Sequence, residues 1–75
     1  MKQNLNTFDE HYTYKDYVLV NDVYEDDDHR ANTWFWGKHV DGFIENAQLL
    51  KGLSSNSYAP WAEVLNVFKK TVDNQ

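Results

Sequence analysis

Asp41-Gly42-Phe43-Ile44-Glu45-Asn46-Ala47-Gln48-Leu49-Leu50-Lys51-Gly52 is the stretch on which the fold turns. Read as a helix, it is capped by Asp41, and Phe43, Ile44, Ala47 and Leu50 share one face at helical spacing. Glu45 then lies in the first turn and Lys51 in the last, each on the favourable side of the helix dipole. Gly52 fits the left-handed position that ends many helices. Read as a strand, Asp41-Gly42 is the two-residue turn of a hairpin joining Trp34–Val40 to Phe43 onward. The run from Glu45 to Lys51 has no β-branched residue and is rich in helix formers, so the helix is the expectation.

Working outward, a polar connection over Ser54–Ser57 leads to a second expected helix, with Ser57 as cap and Pro60 in its first turn. Trp61, Val64, Leu65, Phe68 and Val72 fall at offsets 0, 3, 4, 7 and 11, a continuous apolar stripe. Two helices on a short loop form an antiparallel pair, with Trp61, Leu65 and Phe68 packed on Ile44, Ala47 and Leu50. Upstream, Tyr12, Tyr14, Tyr17, Val18, Leu19, Val20, Val23 and Tyr24 are aromatic or largely β-branched and favour a strand. Thr33-Trp34-Phe35-Trp36 reads the same way, with the two Trp on one face and Phe35 on the other. Glu25–Arg30 becomes a charged hairpin loop. Thr7-Phe8-Asp9-Glu10 has the form of a capping box, and a helix from Phe8 would make the chain an all-α three-helix domain. The β-branched and aromatic density favours the other reading. The expected fold is α+β, an N-terminal β-hairpin on a C-terminal antiparallel helix pair.

The chain has 75 residues, enough for one small domain over 1–75, with polar ends (1–6 and 73–75) that are expected to fray. It contains no cysteine, so neither disulfides nor thiolate zinc sites brace it. The opening MKQNLNTFDEHY holds one lysine and no apolar run like a signal-peptide core. Tyr17–Val20 is the longest apolar stretch, far below the roughly 20 residues that cross a bilayer. A cytoplasmic protein without membrane contact is expected.

Charge is the most informative feature. Twelve acids against seven Lys and Arg give −5, which disfavours direct nucleic-acid binding. Residues 9–28 hold eight of those acids, opposed only by Lys15. Like charges so crowded destabilise a compact domain, which leaves a solvated loop or an acidic binding surface as readings. Aromatics are the second signal, with three Trp, five Tyr and four Phe. Consecutive Trp34, Phe35 and Trp36 do not all face one core, and Tyr and Trp beside acids mark interface anchors.

Catalytic chemistry finds little support. Ser54, Ser55, Ser57 and Thr33 lack an elbow motif or a base partner, and Gly37, Gly42 and Gly52 form no phosphate cradle. Asp26-Asp27-Asp28-His29 fails the calcium-loop template, with Ala31 in place of its glycine and Gly37 in place of its glutamate. His39 beside Asp41 reads as a surface histidine near a cap, and His11 has no further pattern. No enzyme, cofactor or metal is expected.

The partner expected is a basic protein, met through Asp16, Tyr17, Asp22, Tyr24, Glu25, Asp26, Asp27, Asp28, Trp34 and Trp36. A row of carboxylates along a strand imitates one nucleic-acid backbone, which suggests a stoichiometric inhibitor of a nucleic-acid-handling enzyme. In size and charge, though in no motif, the chain is similar to the antagonists of restriction or CRISPR systems carried by phages and mobile elements. An immunity protein or antitoxin against a basic toxin would use the same physics, and a self-associating adaptor, possible as a homodimer, would use the aromatics.

Overall fold

The computed structural model describes residues 2–28 and 30–75, with Arg30 described by its backbone. Strands β1 (Lys2–Asn4), β2 (Glu10–Tyr14), β3 (Tyr17–Glu25), β4 (Arg30–Val40) and β5 (Phe43–Leu49) precede one helix, α1 (Trp61–Asp73). They form one antiparallel sheet in the order β1-β5-β4-β3-β2. A hairpin closed by the acidic loop was expected and is present as β3–β4, but the strand read through Tyr12–Tyr24 breaks at Lys15-Asp16 into β2 and β3. A five-stranded sheet with one helix replaces both the hairpin on a helix pair and the all-α alternative.

The first expected helix is a strand for a local reason. Asp41 and Gly42 have φ of 46° and 85°, the paired left-handed geometry of the two-residue turn that matches strand twist. Helix propensity in Glu45–Lys51 is worth tenths of a kcal/mol per residue, and pairing with β4 overrides it. The apolar residues confirm the change of period. Ile44 and Leu50 are both buried, but in separate clusters, whereas Ala47 is exposed. A helical face would have brought them together.

β5 also carries a bulge. Its register against β4 slips by one residue between Trp36↔Gln48 and Lys38↔Glu45, and Asn46 takes φ 56°. Gly37 lies opposite the slip. A Cβ there would sit 2.7 Å from the Glu45 carbonyl oxygen and 2.8 Å from Ile44 Cγ1, so only glycine fits.

Consecutive strands β1 and β2 lie at opposite edges of the sheet, so the chain between them crosses one face as a strap. A 3-10 turn, Leu5–Thr7, begins it, and Leu5 N–H bonds the Gly42 carbonyl at 3.0 Å. Leu5 is buried with Val18, Val20 and Ile44, and Phe8 and Phe35 pack against them. Phe8 is extended (φ −98°, ψ 157°), so the capping box starts no helix. Residues 2–5, within the stretch expected to fray, are thus strand and buried strap.

α1 covers the other face. Val64, Phe68 and Val72 are buried against Leu19, Trp34, Trp36 and Leu50. The expected contact of Phe68 with Leu50's cluster is present, while Ile44 belongs to the strap side. Pro60, not Ser57, occupies the N-cap, and no side chain caps the helix. Glu63 turns back to bond Ser54 through its backbone N–H at 2.8 Å and its hydroxyl at 2.8 and 3.0 Å. At the far end Asp73 takes a 2.6 Å ion pair from Lys15, which starts the β2–β3 turn at φ 54°. Among the described residues, no helix is long and apolar enough to cross a membrane.

Candidate functional site: an acidic two-stranded ribbon

Strand lengths are unequal, and that inequality builds the site. β2 ends at Glu10, opposite Asn21, and β5 ends at Leu49, opposite Phe35. β3 and β4 continue past both as a two-stranded ribbon, with Asp22↔Thr33, Val23↔Asn32, Tyr24↔Ala31 and Glu25↔Arg30 as its rungs. An isolated ribbon is marginal in water, and three contacts brace this one. Asp9 Oδ2 accepts the Val23 N–H at 2.7 Å on one edge. Asn56 Oδ1 accepts the Trp34 N–H at 2.9 Å on the other, and Asn32 Nδ2 donates to the Ser57 carbonyl at 3.4 Å. At the base, buried Asn21 donates to Glu10 Oε1 at 3.2 Å and to Asn32 Oδ1 at 3.5 Å, leaving its own Oδ1 without a partner.

Asp22, Glu25, Asp26, Asp27 and Asp28 are all exposed on this ribbon and its tip. Tyr24 stands among them, 63% exposed, its hydroxyl 3.3 Å from Asp26 Oδ2. Asp26 Oδ1 also accepts the Asp28 N–H at 2.9 Å, so the loop folds on itself. By register, Asp22 and Glu25 point to opposite faces. The carboxylates therefore make a compact tip and not the straight row that a backbone mimic calls for. With Asp9 and Glu10 beside the base, the whole end of the molecule is acidic.

The remaining expected contact residues fall elsewhere. Asp16 sits in the β2–β3 turn at the other end of β3, eight positions from Tyr24 and roughly 27 Å away. Tyr17 is half-buried against Trp36, with ring centroids 5.6 Å apart. Trp34 and Trp36 are 6% and 8% exposed and belong to the core under α1, so they cannot serve as surface anchors. Phe35 does point the other way, but into the strap-covered cluster. A sheet covered on both faces has two cores, which accounts for three consecutive aromatics.

The tyrosines tell the same story. Tyr12 meets Trp61 and Phe68 edge-on at 5.9 and 6.5 Å, and Tyr14 meets Phe68 at 6.3 Å. These rings widen the core over the small helix instead of facing a partner. Trp61 borders it, half-exposed but with its ring centroid 5.7 Å from that of Trp34, and Tyr24 and Tyr58 stand outside it.

Asp26-Asp27-Asp28 lies within the described residues but His29 lies outside them, as does any geometry it completes. Among the described residues, no three His, Asp or Glu side chains gather as a metal-binding group. His11 is exposed on β2 and His39 half-buried on β4. Two open recesses, of about 210 and 480 Å³, flank the β5 bulge; Glu45 is the one carboxylate among the described residues lining them. No family model matches the chain, and neither a curated protein nor a solved structure does.

Proposed function

We propose that this chain is a small cytoplasmic protein-binding module, not an enzyme, which docks its acidic ribbon tip on a basic surface of another protein. The basic surface we favour is a nucleic-acid-binding groove, occupied stoichiometrically, which makes the chain an inhibitor. One observation carries the reading. Five exposed carboxylates crowd the β3–β4 ribbon and its tip, where no further described strand lies on either side. Charge on an open ribbon also deters pairing with other chains, but one or two residues of either sign achieve that. Five acids against the single base Arg30 leave the ribbon an excess of one sign that weakens it, a cost that a complementary partner offsets. Tyr24 adds ring area that loses water on docking.

The test is a panel of nucleases and restriction endonucleases with basic grooves, scored for loss of DNA binding as this chain is titrated. One-to-one inhibition that weakens with salt is expected for a member of the panel. The variant with Glu25, Asp26, Asp27 and Asp28 all changed to Lys shifts the charge by eight without touching a buried position. It should keep its circular dichroism spectrum and lose inhibition. Equal binding by parent and variant would leave the tip as a solvated loop.

A further inference from the structure

We propose that the partner lies along one particular face of the ribbon, the strap side, and presents a segment in which apolar residues alternate with Lys or Arg. This rests on the acidic-tip reading and adds a side and a composition to it. By register, Asp22, Tyr24, Thr33, Phe35 and Leu49 point to the strap side, with Ala31 opposite Tyr24.

The two faces of the ribbon are not equivalent. On the helix side, the loop before α1 leans on it through Asn32–Ser57 and Trp34–Asn56. On the strap side, Leu5 and Phe8 cover Val18, Val20 and Ile44, and the strap then leaves the face at Asp9. Beyond that point, Tyr24 is 63% and Leu49 47% exposed, with Ala31 and Thr33 half-buried between them and Phe35, packed on the strap cluster, at the inner end. From Ala31 to Phe35 this strip runs roughly 14 Å along β4.

Charge decides what covers it. Asp22 shares the face and Glu25–Asp28 closes its end. A purely apolar partner would strip water from Asp22 without pairing it. A second copy of this chain would bring the same strip, with Asp22 and no base among its residues, and would leave both Asp22 carboxylates unpaired. A segment with bases flanking apolar residues satisfies both the strip and its border.

Two synthetic peptides of equal length and charge separate the possibilities, one alternating lysine with leucine and the other lysine with serine. Binding to the parent protein is expected to be salt-sensitive for both and about tenfold tighter for the leucine peptide. That preference should vanish in the charge-neutral double variant Tyr24→Ser, Leu49→Ser and persist in Tyr58→Ser, whose side chain lies on the loop before α1. Amide shifts of the parent on adding the leucine peptide should centre on Thr33 and Leu49, not on Ser57 and Tyr58. Equal affinities, or a preference that survives the double variant, overturn the docking face while leaving the acidic tip in place. Failure of both peptides to bind at low salt overturns the acidic tip itself, and the docking face with it.

Discussion

Asp9 stands in for a missing strand residue opposite Val23. Its carboxylate takes the Val23 N–H at 2.7 Å, one position beyond the last β2–β3 rung at Glu10↔Asn21. The ribbon therefore begins where a side chain, not a backbone, completes the ladder. Asp9→Ala should release this end alone, at about 1 kcal/mol for a hydrogen bond at an exposed edge. Hydrogen exchange at the Val23 amide should quicken roughly fivefold, while the Leu19 amide, deep in the sheet, keeps its protection. Unchanged exchange at Val23 would mean the bond holds nothing.

Gly37 is set by space. An added methyl meets the Glu45 carbonyl oxygen at 2.7 Å, a backbone atom in the bulge that has no freedom to swing aside. Gly37→Ala should cost about 1–3 kcal/mol, lowering the melting temperature by roughly 5 °C or more. A melt within a degree of the parent would show that the bulge yields easily.

Phe68 lies fully buried between α1 and the sheet, edge-on to Tyr12 and Tyr14. Phe68→Ala is expected to cost about 3–5 kcal/mol, enough to unfold many domains of this size. Urea melts read by tryptophan fluorescence measure it directly, because Trp34 and Trp36 share that cluster.

Lys15 and Asp73 give the fold a pH-dependent clasp at the end of α1. The hydrogen bond from Lys15 holds the Asp73 carboxyl below its ordinary value of 3.8, and the same bond raises Lys15 above 10.5. A depressed carboxyl stabilises the fold above its unfolded pKa and loses that contribution as pH falls through the folded value. A raised lysine contributes below its unfolded pKa and loses the contribution as pH rises through the folded one. The clasp is thus complete between the two ranges. The melting-temperature difference between parent and Asp73→Asn should be flat near neutrality and close toward zero in strong acid. Both side chains are half exposed, so salt should shrink the difference too. A difference that grows in acid would reverse the assignment.

Which parts of this were legible in the sequence follows from how local each signal is. The β3–β4 hairpin, its acidic loop and the opposed faces of Trp34 and Phe35 depend on neighbours, and they could be read. The stripe from Val64 to Val72 likewise marked α1. Asp41-Gly42 carried the correct turn signal, but helix formers downstream outweighed it, because sequence does not show that β4 has an open edge waiting there. The bulge at Asn46 disguised the alternation of β5 further. The strap was hidden for the same reason, since Leu5 and Phe8 gain meaning only from Ile44, far along the chain. Taking the helix face as the whole core then made Trp34 and Trp36 look like surplus.

The strap also sets an order of assembly. Lys2–Asn4 pairs with residues 43–45, and α1 follows all five strands in the chain. During synthesis the cover for one face is made first and must wait about forty residues for β5, its docking edge. The cover for the other face is made after the sheet it shields. Until α1 docks, Trp34 and Trp36 stand bare on that face, so the sheet without its helix is the state in which this chain exposes the most aromatic surface to aggregation.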